Sequence, residues 1–154
     1  MKRRTFLQGT LASGAIAMAA GSGLLAPSGV LAAWNKGAFE AKGLSEAMKN
    51  SLGTDQVADS SDIKIKAPDI AENGAVVPVT VTSNIPGTES ISIFAEQNAT
   101  PLSSVFKFGK STDGYVSTRI KMGKTSQVIA VVTAGGKQFK SQKEVKVTIG
   151  GCGG

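Results

Sequence analysis

Histidine is absent from this 154-residue chain, and cysteine occurs once, as Cys152. Without histidine there is no Ser-His or Cys-His pair for nucleophilic catalysis and no histidine-held metal or haem. One cysteine leaves no internal disulfide and no cysteine-rich zinc site. Aromatic residues are only 5% of the chain, and the lysines are scattered and form no basic run, so nothing suggests a nucleic-acid-binding surface. The single extended apolar stretch, 11–25, is interrupted by glycines and too short to cross a bilayer as a helix.

That stretch sits behind Lys2, Arg3 and Arg4 and is followed by Val30, Leu31 and Ala32, the small-residue end of an export signal cleaved after Ala32. Arg3-Arg4 followed by Thr5, Phe6 and Leu7, with a weakly hydrophobic glycine-containing core, resembles a twin-arginine leader, which exports folded cargo. The expected destination is the periplasm. No cysteine follows the cleavage region, which argues against a lipid anchor there. The segment 1–32 holds three of the 17 basic residues and none of the 11 acidic ones, so the mature charge is +3, half the formal +6.

The remainder divides into 33–149, one domain with its own core, and a terminal arm, 150–154. Segment 34–52 reads as a single amphipathic helix, with Phe39, Leu44, Met48 and Leu52 on one face. Beyond a loop at 53–62, apolar residues alternate in short runs separated by turn signals such as Asn73-Gly74, Pro86-Gly87, Asp113-Gly114 and Gly135-Gly136. Pro78 interrupts the run 76–82 and places it at a sheet edge or beside a bulge. The nearly all-apolar 127–133 should be a central strand. About seven such runs and no further helix predict an immunoglobulin-like antiparallel β-sandwich, with a small barrel as the competitor. In the last run Val145, Val147 and Ile149 share a face, so core packing should end at Ile149.

Past Ile149 the sequence reads Gly150, Gly151, Cys152, Gly153 and Gly154. Glycine is the costliest residue to order and has no side chain to pack. The composition therefore predicts a flexible, exposed arm carrying one thiol, slender enough to thread a channel in another protein. From Ile149 the sulfur could travel on the order of 10 Å. A thiol is nucleophilic only as thiolate, with an ordinary pKa of about 8.5, and nothing in the arm favours ionisation. Activation must come from whatever site receives the arm. The residues alone leave two functions open: a covalent carrier loaded on Cys152, or an assembly module whose tail makes an intermolecular disulfide. An enzyme using Cys152 itself lacks any histidine, and a mobile arm cannot hold a base in fixed geometry.

Three stretches are similar to the SoxY family of sulfur-carrier subunits of the bacterial Sox thiosulfate-oxidation system. The terminal Val147-Thr148-Ile149-Gly150-Gly151-Cys152-Gly153-Gly154 resembles the family's carrier arm. Segments 68–81, beginning Pro-Asp-Ile-Ala-Glu-Asn-Gly, and 115–122, Tyr-Val-Ser-Thr-Arg-Ile-Lys-Met, are similar to its interior. The resemblance implies an immunoglobulin-like sandwich pairing with a SoxZ-type β-sandwich subunit, without metal or haem of its own. It implies that Cys152 takes up the sulfane sulfur of thiosulfate in an oxidation run by a c-type cytochrome. A hydrolase then releases sulfate, and a sulfur dehydrogenase acts on what remains. The glycines 150, 151, 153 and 154 become the tether, and the chain is a carrier and not an enzyme.

Overall fold

A computed structural model describes residues 35–148. The leader, Trp34, Ile149 and the arm, with Gly150, Gly151, Cys152, Gly153 and Gly154, lie outside the described residues.

The expected single helix is two: α1 (Lys36–Glu40) and α2 (Leu44–Leu52). Gly43, a poor helix residue, sits extended at the start of α2, and Ala41 leaves α1 with ψ near 135°. The break lets Ala38, Ala41, Ala47 and Met48 all reach one buried cluster, which a straight helix could not arrange. Asn35 fixes the pair. Its Oδ1 accepts from the Ala38 amide at 3.1 Å, its Nδ2 donates to the Asn50 carbonyl at 2.7 Å, and Asn50 Nδ2 donates to the Gly37 carbonyl at 3.1 Å. Gly53 ends α2 at φ 80°, its amide donating to the Lys49 carbonyl. The predicted face holds: Phe39, Leu44 and Leu52 pack against this cluster and Met48 is inside it.

Among the described residues nine strands come after the helices: β1 (Ala58–Asp59), β2 (Ile63–Lys66), β3 (Ile70–Ala71), β4 (Val77–Ser83), β5 (Thr88–Ala95), β6 (Leu102–Lys107), β7 (Tyr115–Ile120), β8 (Ser126–Ala134) and β9 (Lys137–Val147). Seven exceed two residues, and they match the alternating runs of the sequence. They form an immunoglobulin-like sandwich. One sheet runs β1-β9-β8-β5-β6, the other β2-β4-β7. β8 is central, as its composition requires. The pairing is antiparallel except where β1 and β3 each add a short parallel segment to the outer edge of β9, at Phe139–Lys140 and at Lys146–Val147. These segments cover an edge that would otherwise expose unpaired backbone groups.

Pro78 lies in β4, the middle strand of its sheet, and not on an edge strand. It is tolerated because β2 pairs only with Thr80 to Ser83, leaving Pro78 opposite Arg119 of β7 with no partner in β2.

The large sheet is buried on both faces. Ile91, Ile93, Val128, Ala130, Val132 and Val145 meet Val77, Val79, Val81, Val116 and Met122 between the sheets. On the opposite face Phe94, Ile129 and Val131 pack under the helices. Phe94 is fully buried, a placement that stabilises by about 1.5–3 kcal/mol over exposure.

Candidate functional site

All five predicted site residues lie outside the described residues, so the site is defined by the platform that launches the arm. The described chain ends with β9 and Thr148. Covalent geometry then limits Cys152 to within about 14 Å of Thr148.

Three separate segments grip this root. On one side β3 runs parallel to β9. The Lys146 amide donates to the Asp69 carbonyl at 2.9 Å, and the Thr148 amide to the Ala71 carbonyl at 3.1 Å. On the other side Thr125 Oγ1 accepts from the Val147 amide at 2.9 Å, extending the ladder where β8 has not yet begun. Beneath, Gly74 brings its backbone so close to Val147 and to the Met122 carbonyl that a β-carbon would collide with both, and the Met122 amide donates to the Gly74 carbonyl at 2.7 Å. Lys143 Nζ reinforces the β3 side, bonding the Ala67 carbonyl at 2.6 Å and Asp69 at 3.0 Å.

The segments 68–81 and 115–122, which carry the family resemblance away from the arm, thus converge on the arm's root. The sequence reads Asn73-Gly74 as a turn. The turn exists, with Asn73 Oδ1 accepting from the Ala75 amide at 2.9 Å, but the glycine is required by close approach. Sequence reasoning misses Thr125, since a lone threonine in a loop carries no signal of its partner. It also misses Ile70, apolar and 57% exposed, which pairs with Lys146 at the root. Among the described residues no group of acidic or cysteine side chains could hold a metal ion, and no helix is long and apolar enough to cross a membrane.

A cleft of about 560 Å³ between the 83–89 and 108–114 segments lies at the opposite end of the sandwich. A hollow of about 470 Å³ lined by Asn98, Lys121, Gly123 and Lys124 lies at the arm's end. There Asn98 bonds the Lys121 carbonyl and the Gly123 amide, tying the β5–β6 loop to the β7–β8 loop.

A family model described as sulfur oxidation protein SoxY matches residues 48–152, through the cysteine. The solved structure of the sulfur carrier protein SoxY from Chlorobium limicola f thiosulfatophilum is 45% identical, with a TM-score of 0.63 over 69% of this chain and 96% of that one. A superoxide reductase (neelaredoxin) from Ignicoccus hospitalis is 18% identical over 56% of this chain and 80% of its own, with a TM-score of 0.49, too slight a likeness to argue from. None of the curated proteins matches the chain.

Proposed function

Since the chain belongs to the SoxY family, we propose that it is a periplasmic sulfur carrier holding sulfur-oxidation intermediates covalently on Cys152 and presenting them to partner enzymes. A sulfur-carrier role in sulfur oxidation follows from the family and from the 45% identical carrier. The observation that supports the finer reading is that the family match runs through the only cysteine of the chain. The root geometry agrees with it. A tether works as a pointer only if its base is fixed, and the last described residues are hydrogen-bonded from both sides.

The loading step joins the Cys152 sulfur to the sulfane sulfur of thiosulfate. The thiol proton is released, and two electrons pass to a c-type cytochrome partner, leaving a cysteine S-thiosulfonate anion, in which the sulfane sulfur bridges Cys152 and the sulfonate. Hydrolysis of the terminal sulfur–sulfur bond by a partner then adds water, releases sulfate and two protons, and leaves a persulfide anion for a sulfur dehydrogenase. This chain supplies the sulfur atom, the tether and the platform. Its partners supply oxidant and water activation, in keeping with a sequence that has no histidine. Pairing with a SoxZ-type subunit and export by the twin-arginine route complete the proposal.

Intact-mass measurement of protein from thiosulfate-grown cells tests it: adducts are expected on Cys152, and Cys152→Ser should abolish thiosulfate-dependent turnover while leaving the fold unchanged. An unmodified Cys152 together with a fully active serine variant would overturn the proposal.

A further inference from the structure

The two sheets differ in the sign of the charges they carry: the strands of the large one include Glu89 and Glu144 beside their lysines, three of which, Lys107, Lys137 and Lys146, make no ion pair among the described residues. On the large sheet, Lys140 and Lys143 of β9 are paired within the chain, to Asp59 and Asp69. The three-stranded sheet has no such partners. Its strands, Ile-Lys-Ile-Lys, Val-Pro-Val-Thr-Val-Thr-Ser and Tyr-Val-Ser-Thr-Arg-Ile, contain no acidic residue at all. Alternation buries Ile63, Val77, Val79, Val81, Val116 and Ile120 and turns Lys64, Lys66, Thr80, Thr82, Tyr115, Ser117 and Arg119 to the outside.

Register then assembles a basic face. Lys66, Thr80 and Ser117 lie in one row across the sheet, and Lys64, Thr82 and Tyr115 in the next. Arg119 stands opposite Pro78 at the end nearer the arm. Lys64, Lys66 and Arg119 make no ion pair among the described residues. Three like charges on one face without a counter-charge repel one another and raise the local potential, which favours an anionic partner. Between them lie short hydroxyl side chains, with Thr80 Oγ1 3.3 Å from Ser117 Oγ, and Tyr115 is 57% exposed. Tyrosine and arginine are the side chains that most often anchor protein–protein contacts.

The face also ends where the arm begins. Ile120 of β7 pairs with Val77 of β4. Two residues further on, Met122 bonds Gly74, which abuts Val147. A protein seated on this sheet therefore has the root of the arm at its rim.

We infer that the outer face of the three-stranded sheet, centred on Lys64, Lys66, Tyr115 and Arg119, is the docking surface for a carboxylate-lined protein face beside the pocket that receives the arm. The inference rests on the carrier reading, and the two can fail separately.

The test uses the full mature chain in complex with its pairing subunit, and the purified enzyme that loads Cys152 as probe. Lys64→Glu/Lys66→Glu/Arg119→Glu should raise the KM for the carrier at least tenfold with kcat nearly unchanged, and flatten its dependence on salt. A control reversal of three cations elsewhere, Lys36→Glu/Lys42→Glu/Lys137→Glu, should change KM less than threefold. Should the reversal variant misfold, the milder Lys64→Gln/Lys66→Gln pair is read the same way. On the unaltered protein, a zero-length carbodiimide cross-linker should join Lys64 or Lys66 to a partner carboxylate. Equal KM changes in face and control variants, an unchanged KM in the face variant, or loss of subunit pairing alone would each overturn the docking surface. Chemical loading of Cys152 with tetrathionate bypasses the face. A chain that loads chemically but never carries sulfur in cells refutes the carrier reading instead.

Discussion

Gly74 and Met122, 48 positions apart, are locked together: the Met122 amide donates to the Gly74 carbonyl at 2.7 Å, and there is no room for a side chain between them. The contact joins the loop before β4 to the loop after β7, under the last residues of β9. It makes a glycine at position 74 a structural demand of the arm's platform.

Gly74→Ala is therefore expected to destabilise the domain by about 1–3 kcal/mol, the usual range for forced overpacking. The obstructing atoms include a backbone carbonyl, which cannot rotate aside. Urea denaturation followed by circular dichroism measures this. A midpoint equal to that of the parent protein would contradict the contact.

Thr125→Ala removes the acceptor of the Val147 amide. A single neutral hydrogen bond contributes about 1 kcal/mol net, so global stability should fall only slightly. The local effect should be larger: the Val147 amide should exchange hydrogen several-fold faster, while amides in the middle of β8 keep their protection. Thr125→Ser should restore slow exchange, because the hydroxyl is retained.

Asp55 gives the pH dependence. A hydrogen bond from Ser45 and then one from Lys49 hold its carboxyl below the ordinary value of 3.8, and Lys49 Nζ lies 3.0 Å away. The folded state thus favours the charged form. Its contribution is present above the unfolded value, near pH 3.8, and is lost as pH falls through the lower folded value. Comparing unfolding midpoints at pH 6 and pH 2.5, Asp55→Asn should be less stable than the parent at pH 6, and the difference should narrow at pH 2.5.

Phe94→Ala opens a cavity between the large sheet and the helices, where Phe94 packs with Met48 and Ile129. The expected cost is about 3–5 kcal/mol. Thermal unfolding checks the value, and a loss below 1 kcal/mol would mean that the helices do not depend on this side chain.

Much of this architecture was legible as alternation. Val77, Val79 and Val81 point inward together, as do Val116, Ile120 and Met122, because a strand buried on one face must repeat every second residue. The helix break at Ala41 to Gly43 was hidden, since the same apolar spacing suits one helix or two, and the choice is made by a sheet surface that includes Phe94. Pro78 correctly signalled a missing backbone partner, but it did not reveal that a short neighbour, and not an outer position, removes it. The cysteine was readable by its solitude and its glycines. Its platform was not, because Thr125, Gly74 and Ala71 acquire their roles only through register, which no local pattern encodes.

The parallel caps on β9 have one further consequence. β9 comes later in the chain than every strand it binds: β1, β3 and β8 all precede it. The grip on the arm's root joins positions near 70, 125 and 147, and its β3–β9 part closes a loop spanning about half the chain, the kind of long-range contact whose loop-closure entropy must be met before it stabilises anything. A chain with an unfinished sandwich therefore has a cysteine but no fixed place from which to offer it. On the carrier reading proposed above, correct presentation of the thiol becomes a report that folding is complete.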